Sequence, residues 1–179
     1  MEDIFDLYKI SSFKSYKSGE MIAKEGDYFD FALGILKGAI RTFVHQSNGE
    51  ERTVRIALEK DVTACSNCLL KGEKSFEYLE AVEDCLVIQV NTKKLKELCQ
   101  NNIRLLKFWN DNISEAFHEA VHRIMFFQVL TPEERYFTLL EENPELILRI
   151  PQKYLASYIG VTTVSLSRIR NRKGRKSIN

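Results

Sequence analysis

The chain has 179 residues, of which 44% are hydrophobic and 28% charged, and its formal net charge is +1. This length allows one large domain or two small ones, and the composition is that of a globular protein with a buried core rather than a disordered or collagen-like chain. No run of about 18 apolar residues is present, and the N-terminus Met1-Glu2-Asp3 is acidic where a secretory signal would be basic and then apolar, so neither membrane insertion nor secretion is expected.

Residues 13–90 carry turn-forming sequences about every ten residues, the pattern of short strands in a sandwich or barrel. The clearest feature is a β-hairpin, in which strands at 40–44 and 52–57 flank a turn that contains Asn48-Gly49. A last strand is predicted at 86–90.

After Asn91 the apolar residues recur with a helical period. Thr92 is predicted to cap a short helix that ends near Cys99, and a helix of about seven turns is predicted from Asn102 to Gln128. A helix of roughly 40 Å is longer than a domain of about 90 residues, so its apolar stripe is expected to pair with a second copy rather than to pack only on its own domain. The predicted dimer contacts are Leu106, Ile113, Phe117, Ala120 and Ile124.

Three proline-marked boundaries follow the long helix. Thr131-Pro132, with a glutamate placed to complete a capping box, predicts the start of a new helix. Asn143-Pro144 is expected to end that helix, and Ile150-Pro151 to precede the next one.

Residues 152–171 have the spacing of a helix-turn-helix unit throughout. Ala156 is small where the two helices would cross, and Gly160 lies at the turn, where a positive φ costs least without a Cβ atom. The predicted shared core is Leu155, Ile159, Val161, Leu166 and Ile169.

The second helix of such a unit enters the major groove of DNA. Thr162 is its predicted N-cap, and Arg168 is expected to read a guanine because a guanidinium matches the O6 and N7 acceptors. Val164 is expected to contact a thymine methyl group. The predicted DNA-binding residues are Thr162, Thr163, Val164, Ser165, Ser167, Arg168, Arg170, Asn171 and Arg172.

Positive charge collects in this same segment. Residues 145–179 hold eight basic side chains and one acidic side chain, whereas the rest of the chain is acidic. A basic end on an acidic body is expected of a polyanion-binding module, and Arg170, Arg172, Lys173, Arg175 and Lys176 are predicted phosphate contacts. The alternative is a helical hairpin with a solvated basic end.

Four segments of the chain resemble the Crp/Fnr family of bacterial transcription regulators: Gly19-Glu20 with Ile22, Glu25-Gly26-Asp27, Ile35-Leu36-Lys37-Gly38, and residues 150–172. The resemblance implies an α+β fold, with an N-terminal antiparallel β-roll (a jelly roll of the cyclic-nucleotide-binding type), a long dimerisation helix and a C-terminal winged helix-turn-helix. The expected domains are 1–101, 102–130 and 131–179. The phrase Ser165-Leu166-Ser167-Arg168-Ile169-Arg170 resembles a Bacteroidetes-like branch of the family.

The partners implied by this resemblance are double-stranded DNA with a two-fold symmetric operator, a second copy of the chain, and RNA polymerase if the protein activates transcription. No membrane partner is expected. Four cysteines are too few for a disulfide scaffold and suit a reducing compartment, so the chain is expected to be cytoplasmic.

The ligand half departs from the cyclic-nucleotide binders of the family. Counting from Asp61, the Gly-Glu pair of their phosphate cassette falls on Ala64-Cys65 and their arginine on Ser75. Without the bidentate arginine and the glutamate, cyclic AMP is not expected to be the effector. The candidate effector pocket is Ala64, Cys65 and Ser75, with no effector assigned and no cofactor predicted. The Arg-Glu pair of many members' recognition helices is Thr163-Val164 here, so the operator is expected to differ.

Other interpretations compete for the remaining reactive residues. Cys65 and Cys68 have the spacing of a redox pair, or could bind a metal with Cys85 and Cys99, although structural cysteines are favoured. His118 and His122 have a metal-binding spacing but no evident third ligand. A cupin-like metal enzyme would need clustered strand histidines, and the roll has only His45; no catalytic or metal site is therefore predicted. A sensor or adaptor of the same fold that does not bind DNA is the remaining alternative.

Overall fold

A computed structural model describes the backbone of residues 7–176 and the side chains of residues 7–172. In the described part of the chain, eight strands precede the long helix, with one short helix between the sixth and the seventh strand. The strands are β1 (Ser11–Tyr16), β2 (Met21–Ala23), β3 (Phe31–Lys37), β4 (Ile40–His45), β5 (Glu51–Ala57), β6 (Val62–Ala64), β7 (Tyr78–Ala81) and β8 (Cys85–Asn91). The helices are α1 (Ser66–Lys71), α2 (Thr92–Cys99), α3 (Ile103–Val129), α4 (Pro132–Glu142), α5 (Pro144–Arg149), α6 (Gln152–Ile159) and α7 (Thr163–Lys176).

The strands form the two sheets of the predicted β-roll. One sheet has the order β1-β8-β3-β6 and the other β2-β7-β4-β5. Strand β8 pairs antiparallel with both β1 and β3. The apolar side chains that alternate toward the interior form one core, which includes Leu33, Ile35, Ile40, Leu79 and Val87, each at most 2% exposed.

The predicted hairpin is confirmed as β4–β5. Its turn is closed by the Gly49 N–H, which donates to the Gln46 carbonyl at 2.9 Å, and Gly49 has a φ of 83°. The Asn48 carboxamide oxygen accepts from the Glu50 N–H at 2.9 Å. The turn therefore uses the Asn-Gly chemistry that the sequence indicates.

The long helix is confirmed over Ile103–Val129, and the last strand, predicted at 86–90, is β8.

The cap of α2 differs from the prediction. Thr92 is the first helical residue, and the Asn91 side chain is the N-cap, accepting from the Lys94 N–H at 2.9 Å. Asparagine is the better cap, because its side-chain oxygen reaches the N3 amide from an extended backbone.

The capping box at α4 is confirmed. The Thr131 hydroxyl accepts from the Glu134 N–H, and the Glu134 carboxylate accepts from the Thr131 N–H at 2.8 Å.

After Asn91 the described chain contains only helices and the loops between them, so the expected β-wing is not found in residues 92–176. The short helix α5 occupies the chain between α4 and α6, because Pro144 is pre-set for a first helical turn.

Contacts between backbone positions group the chain into two compact units. One contains the residues up to Val44 together with Arg55–Phe117, and the other contains His45–Val54 together with the residues from His118 onward. The tip of the β4–β5 hairpin thus belongs with the C-terminal helices.

Among the described residues, no helix combines the length and the hydropathy that a membrane span requires.

Candidate nucleic-acid interface and effector pocket

The first helix of the predicted helix-turn-helix is α6. Leu155, Ala156 and Ile159 are at most 1% exposed, as the sequence predicts for the face that meets the second helix. Gly160 ends α6 with φ 75° and ψ 37°, and the next amide, Val161 N–H, donates back to the Ala156 carbonyl at 2.9 Å. This left-handed helix end sets the direction of the turn that follows.

The second helix, α7, begins as predicted. The Thr162 hydroxyl accepts from the Ser165 N–H at 3.1 Å, so Thr162 is its N-cap. Leu166 is fully buried and Ile169 is 7% exposed, so both belong to the core of the helix-turn-helix, as predicted. Val161, also a predicted core residue, is only half-buried. The Ser165 hydroxyl bonds the Thr162 hydroxyl at 3.0 Å and is half-buried, so it contributes to the cap.

Five of the predicted DNA-binding residues lie together on the exposed side of α7. All five are exposed, and the apolar Val164 has 59% of its surface accessible. An exposed helix face that carries hydroxyl, amide and guanidinium groups around one apolar side chain can present donors, acceptors and a methyl contact to base edges. The face consists of Thr163, Val164, Ser167, Arg168 and Asn171.

The two other predicted arginines have protein partners. The Arg170 guanidinium donates to the Ile147 carbonyl at 3.5 Å and lies 5.8 Å from the ring centre of Tyr136. Arg172 forms an ion pair with Glu133 at 3.0 Å. Arg172 is on the surface, but Arg170 is turned toward the protein. The side chains of Lys173, Arg175 and Lys176 lie outside the described residues.

Two arginines that the sequence analysis missed stabilise the end of α6. The Arg123 guanidinium donates to the Tyr158 carbonyl, and Arg135 Nη1 donates to the Ile159 carbonyl at 2.7 Å. Both guanidinium carbons lie over the ring of Phe127, at 4.4 and 4.7 Å from its centre. Cations at a helix C-terminus complement its dipole, so the turn before α7 is held by charge as well as packing.

Burial lowers the pKa of the Arg123 guanidinium from its usual value, because desolvation disfavours the charged form. Arginine nonetheless stays protonated at neutral pH. No local sequence pattern marks Arg123 or Arg135, because their partners are main-chain carbonyls of α6 that lie 35 and 24 residues away along the chain.

Two of the three residues of the candidate effector pocket are buried, and the Ser75 hydroxyl is hydrogen-bonded within the chain. Cys65 and Ser75 are buried, and Ala64 is half-buried. The Ser75 hydroxyl donates to the Glu77 carbonyl at 2.9 Å and accepts from the Glu77 N–H at 3.0 Å. The structure thus brings the three predicted residues into the region around α1, but their polar groups are already used within the chain.

A carboxylate occupies the start of α1. The Glu77 side chain, in a residue only 9% exposed, accepts from the Ser66 N–H at 2.9 Å and from the Ser66 hydroxyl at 2.7 Å. An anionic ligand brought to these donors would have to displace Glu77 or face its negative charge. Sequence reasoning missed this contact, because Glu77 and Ser66 meet only when the chain after α1 folds back.

The four cysteines are buried free thiols. Desolvation raises the pKa of the Cys65 thiol to about 12, so it is uncharged at neutral pH and a poor nucleophile. The rings of His118 and His122 lie 6.5 Å apart on α3. Within residues 7–172, no group of three or more His, Cys, Asp or Glu side chains is placed to hold a metal ion.

The predicted dimer contacts all lie on α3. Phe117 is 70% exposed, Ile124 60% and Leu106 43%; Ala120 is also exposed, and Ile113 is half-buried. A single chain therefore leaves large apolar side chains of this helix in contact with water, which is characteristic of an interaction surface.

The family model named cyclic nucleotide-binding domain matches residues 13–102. Over 167 residues, the chain is 22% identical to the transcriptional activator protein Anr of Pseudomonas protegens, covering 87% of this chain and 68% of that protein.

Two solved structures share the fold over most of the chain. FixK2 from Bradyrhizobium japonicum has a TM-score of 0.82 and 20% identity, covering 94% of this chain and 87% of its own. A Crp/Fnr-family transcriptional regulator from Thermus thermophilus has a TM-score of 0.71 and 19% identity, covering 92% and 87%. The chain belongs to the cyclic nucleotide-binding domain family, and its fold is that of the Crp/Fnr regulators.

Proposed function

We propose that this protein is a homodimeric, sequence-specific DNA-binding transcription regulator and not an enzyme. The observation that carries the proposal is the exposed face of α7. The apolar side of α7 is buried against α6, and Thr162 forms the N-cap of α7. Its opposite side exposes Arg168 to solvent together with Thr163, Val164, Ser167 and Asn171. The relative Anr is a transcriptional activator, which is one kind of DNA-binding regulator.

In this proposal α7 lies in the major groove. Arg168 reads a guanine, Val164 contacts a thymine methyl group, and Thr163, Ser167 and Asn171 bond bases or phosphates. Thr162 and Ser165, which cap α7, bring its N-terminal amides to the DNA backbone. Arg172 reaches a phosphate by exchanging Glu133 for DNA, while Arg170 needs a larger rearrangement, because its guanidinium is turned toward Ile147.

The dimer is proposed to form through α3, with Leu106, Ile113, Phe117, Ala120 and Ile124 meeting the same helix of a second copy. The exposure of Phe117 and Ile124 supports this contact. Dimeric reading heads would engage half-sites about one helical turn, roughly 34 Å, apart. The expected division into residues 1–101, 102–130 and 131–179 assigns sensing, pairing and DNA reading to successive parts of the chain.

The roll is proposed to sense an effector other than cyclic AMP. Ser75 lacks the positive charge of an arginine, and the Glu77 carboxylate already accepts the hydrogen bonds of Ser66. RNA polymerase is a further partner if the protein activates transcription, and a role on DNA implies a cytoplasmic location. The Bacteroidetes-like branch rests on the Ser165–Arg170 phrase alone.

The test is selection of bound double-stranded DNA from a random library by the purified protein at one stated salt concentration. We expect an enriched inverted repeat whose half-site centres lie about ten base pairs apart. Salt-dependent binding without enrichment would mean that sequence-specific reading needs an effector. The absence of any salt-dependent DNA binding would instead favour the sensor or adaptor that uses α3 without reading DNA.

A further inference from the structure

Strand β5 ends its sheet, so one side of it has no neighbouring strand among the described residues. Along a strand, the N–H and C=O groups of residues i and i+2 point to the same side. At the hairpin tip, the Thr53 N–H and the Glu51 C=O are such a pair. Thr53 is only 1% exposed, and a buried backbone N–H needs an acceptor.

The Ser157 side chain of α6 satisfies both groups. Its hydroxyl accepts from the Thr53 N–H at 2.9 Å and donates to the Glu51 carbonyl at 3.0 Å. The Ser157 main-chain carbonyl also accepts from Arg52 Nη1 at 3.5 Å. One serine thus provides the donor and the acceptor that a further strand would provide at this point of the edge.

These contacts lie inside the unit that contains the DNA-reading helix. The hairpin tip, residues 45–54, groups with the chain from His118 onward. The neighbours of Ser157 in α6, Leu155, Ala156 and Ile159, are buried with Leu166 of α7 in that unit. The contact also leaves the reading face open, because Val164 and Arg168 remain exposed while Ser157 is bonded to β5.

We propose that Ser157 is a positioning residue for DNA binding: its hydroxyl binds the hairpin tip to α6 and so holds α7 ready to read DNA. The inference rests on the proposed DNA-binding function. A reading helix whose orientation is fixed before binding loses less conformational freedom on binding than a helix that must first be ordered. The hydroxyl therefore raises operator affinity without itself touching DNA.

The experiment compares three variants on the DNA sequence selected by the wild-type protein. Ser157→Ala removes the hydroxyl, and we expect operator affinity to fall about tenfold, equivalent to roughly 1.4 kcal/mol. Ser157→Thr retains a hydroxyl and is expected to recover most of the affinity. Ser11→Ala is the matched control, since it removes a serine hydroxyl that donates to the Tyr8 carbonyl in the other unit, and its affinity should equal that of the wild type.

Hydrogen exchange at the Thr53 amide reports the contact directly. We expect faster exchange in Ser157→Ala than in the wild type, and in the wild type we expect operator DNA to preserve or strengthen protection. Loss of that protection on DNA binding would show that the contact opens when DNA is read, which overturns the proposal even if Ser157→Ala does not fold.

Two affinity results also oppose the inference. Unchanged or higher operator affinity in a folded Ser157→Ala variant with fast Thr53 exchange would mean that the contact does not assist DNA binding. If the wild type binds no DNA at all, the proposed function and this inference both fail. If the wild type binds and Ser157→Ala binds equally well, only the inference fails.

Discussion

Gly160 shows how one residue determines the geometry of the helix-turn-helix formed by α6 and α7. Its φ of +75° is in the left-handed region, and a Cβ atom placed on it would lie 2.8 Å from Phe127 Cε1 and 2.9 Å from Arg135 Nη1. The sequence predicted the positive φ at this turn. The close approach of Phe127 and Arg135 depends on the packing of α3 and α4 against α6.

We expect Gly160→Ala to destabilise the protein by about 1–3 kcal/mol, because it adds left-handed strain and a steric clash. Thermal unfolding measured by calorimetry is the test. Gly49→Ala is the control, since Gly49 has a φ of +83° but no atom within 4 Å of the position that a Cβ atom would take, so it carries the strain alone. Equal losses in the two variants would show that the contacts with Phe127 and Arg135 do not matter.

Arg168 is the side chain on which base recognition is predicted to depend most. Arg168→Ala is expected to cost about 1–3 kcal/mol of binding on the preferred site and to relax one base position in each half-site. Selection and titration with the variant test this. A uniform loss on every sequence, as expected for Arg172→Ala, would instead make Arg168 a phosphate contact.

Glu77 is the residue that bears most directly on the effector. The Glu77 carboxylate accepts both hydrogen bonds of Ser66, and Ser75 stands where cyclic-nucleotide binders have an arginine. We therefore expect cyclic AMP to bind with a Kd of about 1 mM or weaker. Isothermal titration calorimetry measures this Kd. Tight, saturable binding would refute the expectation and restore cyclic AMP as a candidate effector.

At the scale of elements, helix ends follow local sequence closely. The capping box of α4 was predictable because Thr131 and Glu134 interact within one turn. The cap of α2 was assigned one residue late, since Asn91 and Thr92 are both good cap residues and only the end of β8 decides which one stays extended. The wing was expected from family resemblance alone, and no strand pattern after Asn91 supported it.

The capping box predicts a pH dependence. Hydrogen bonds from Thr131 lower the pKa of the Glu134 carboxyl from its usual 4.5, because they favour the charged form. A carboxyl whose pKa is lower in the folded state stabilises the protein above its unfolded pKa, and this contribution disappears as pH falls through the folded value. Glu134→Gln should therefore be less stable than the wild type at pH 7, with a difference that narrows from about pH 4.5 downward.

Urea unfolding of both proteins between pH 7 and pH 3 measures this difference. Thr131→Ala, which removes the hydroxyl from the same box, is expected to cost about 1 kcal/mol at pH 7. If the gap between the wild type and Glu134→Gln is constant across this range, the Glu134 charge does not contribute.

At the scale of the whole molecule, α3 is the element whose environment is incomplete in a single chain. Phe117 and Ile124 are 70% and 60% exposed on a helix of 27 residues. The sequence predicted both the helix and its apolar stripe from their period.

We expect Phe117→Glu combined with Ile124→Glu to convert the proposed dimer to a monomer and to abolish high-affinity operator binding, because like charges would meet in the proposed α3 contact. Analytical ultracentrifugation measures the oligomeric state. His122→Glu, which changes an exposed residue outside the stripe, is the control and should remain dimeric. A double variant that stays dimeric would place the contact between copies elsewhere.

The sequence by itself determined the β4–β5 hairpin, the long helix, the Thr131 and Thr162 caps and the register of the helix-turn-helix. These features depend on residues that are close together in the sequence, so the hydrophobic periodicity and the turn residues predict them directly.

Only the tertiary structure decided which distant polar groups meet. Ser157 bonds β5 across 106 residues, Arg135 bonds the end of α6 across 24, and the buried Arg41 pairs with Glu80 across 39. No local pattern marks these partners, because their adjacency arises from sheet order and helix packing. A buried polar group must find whichever donor or acceptor the fold brings within reach.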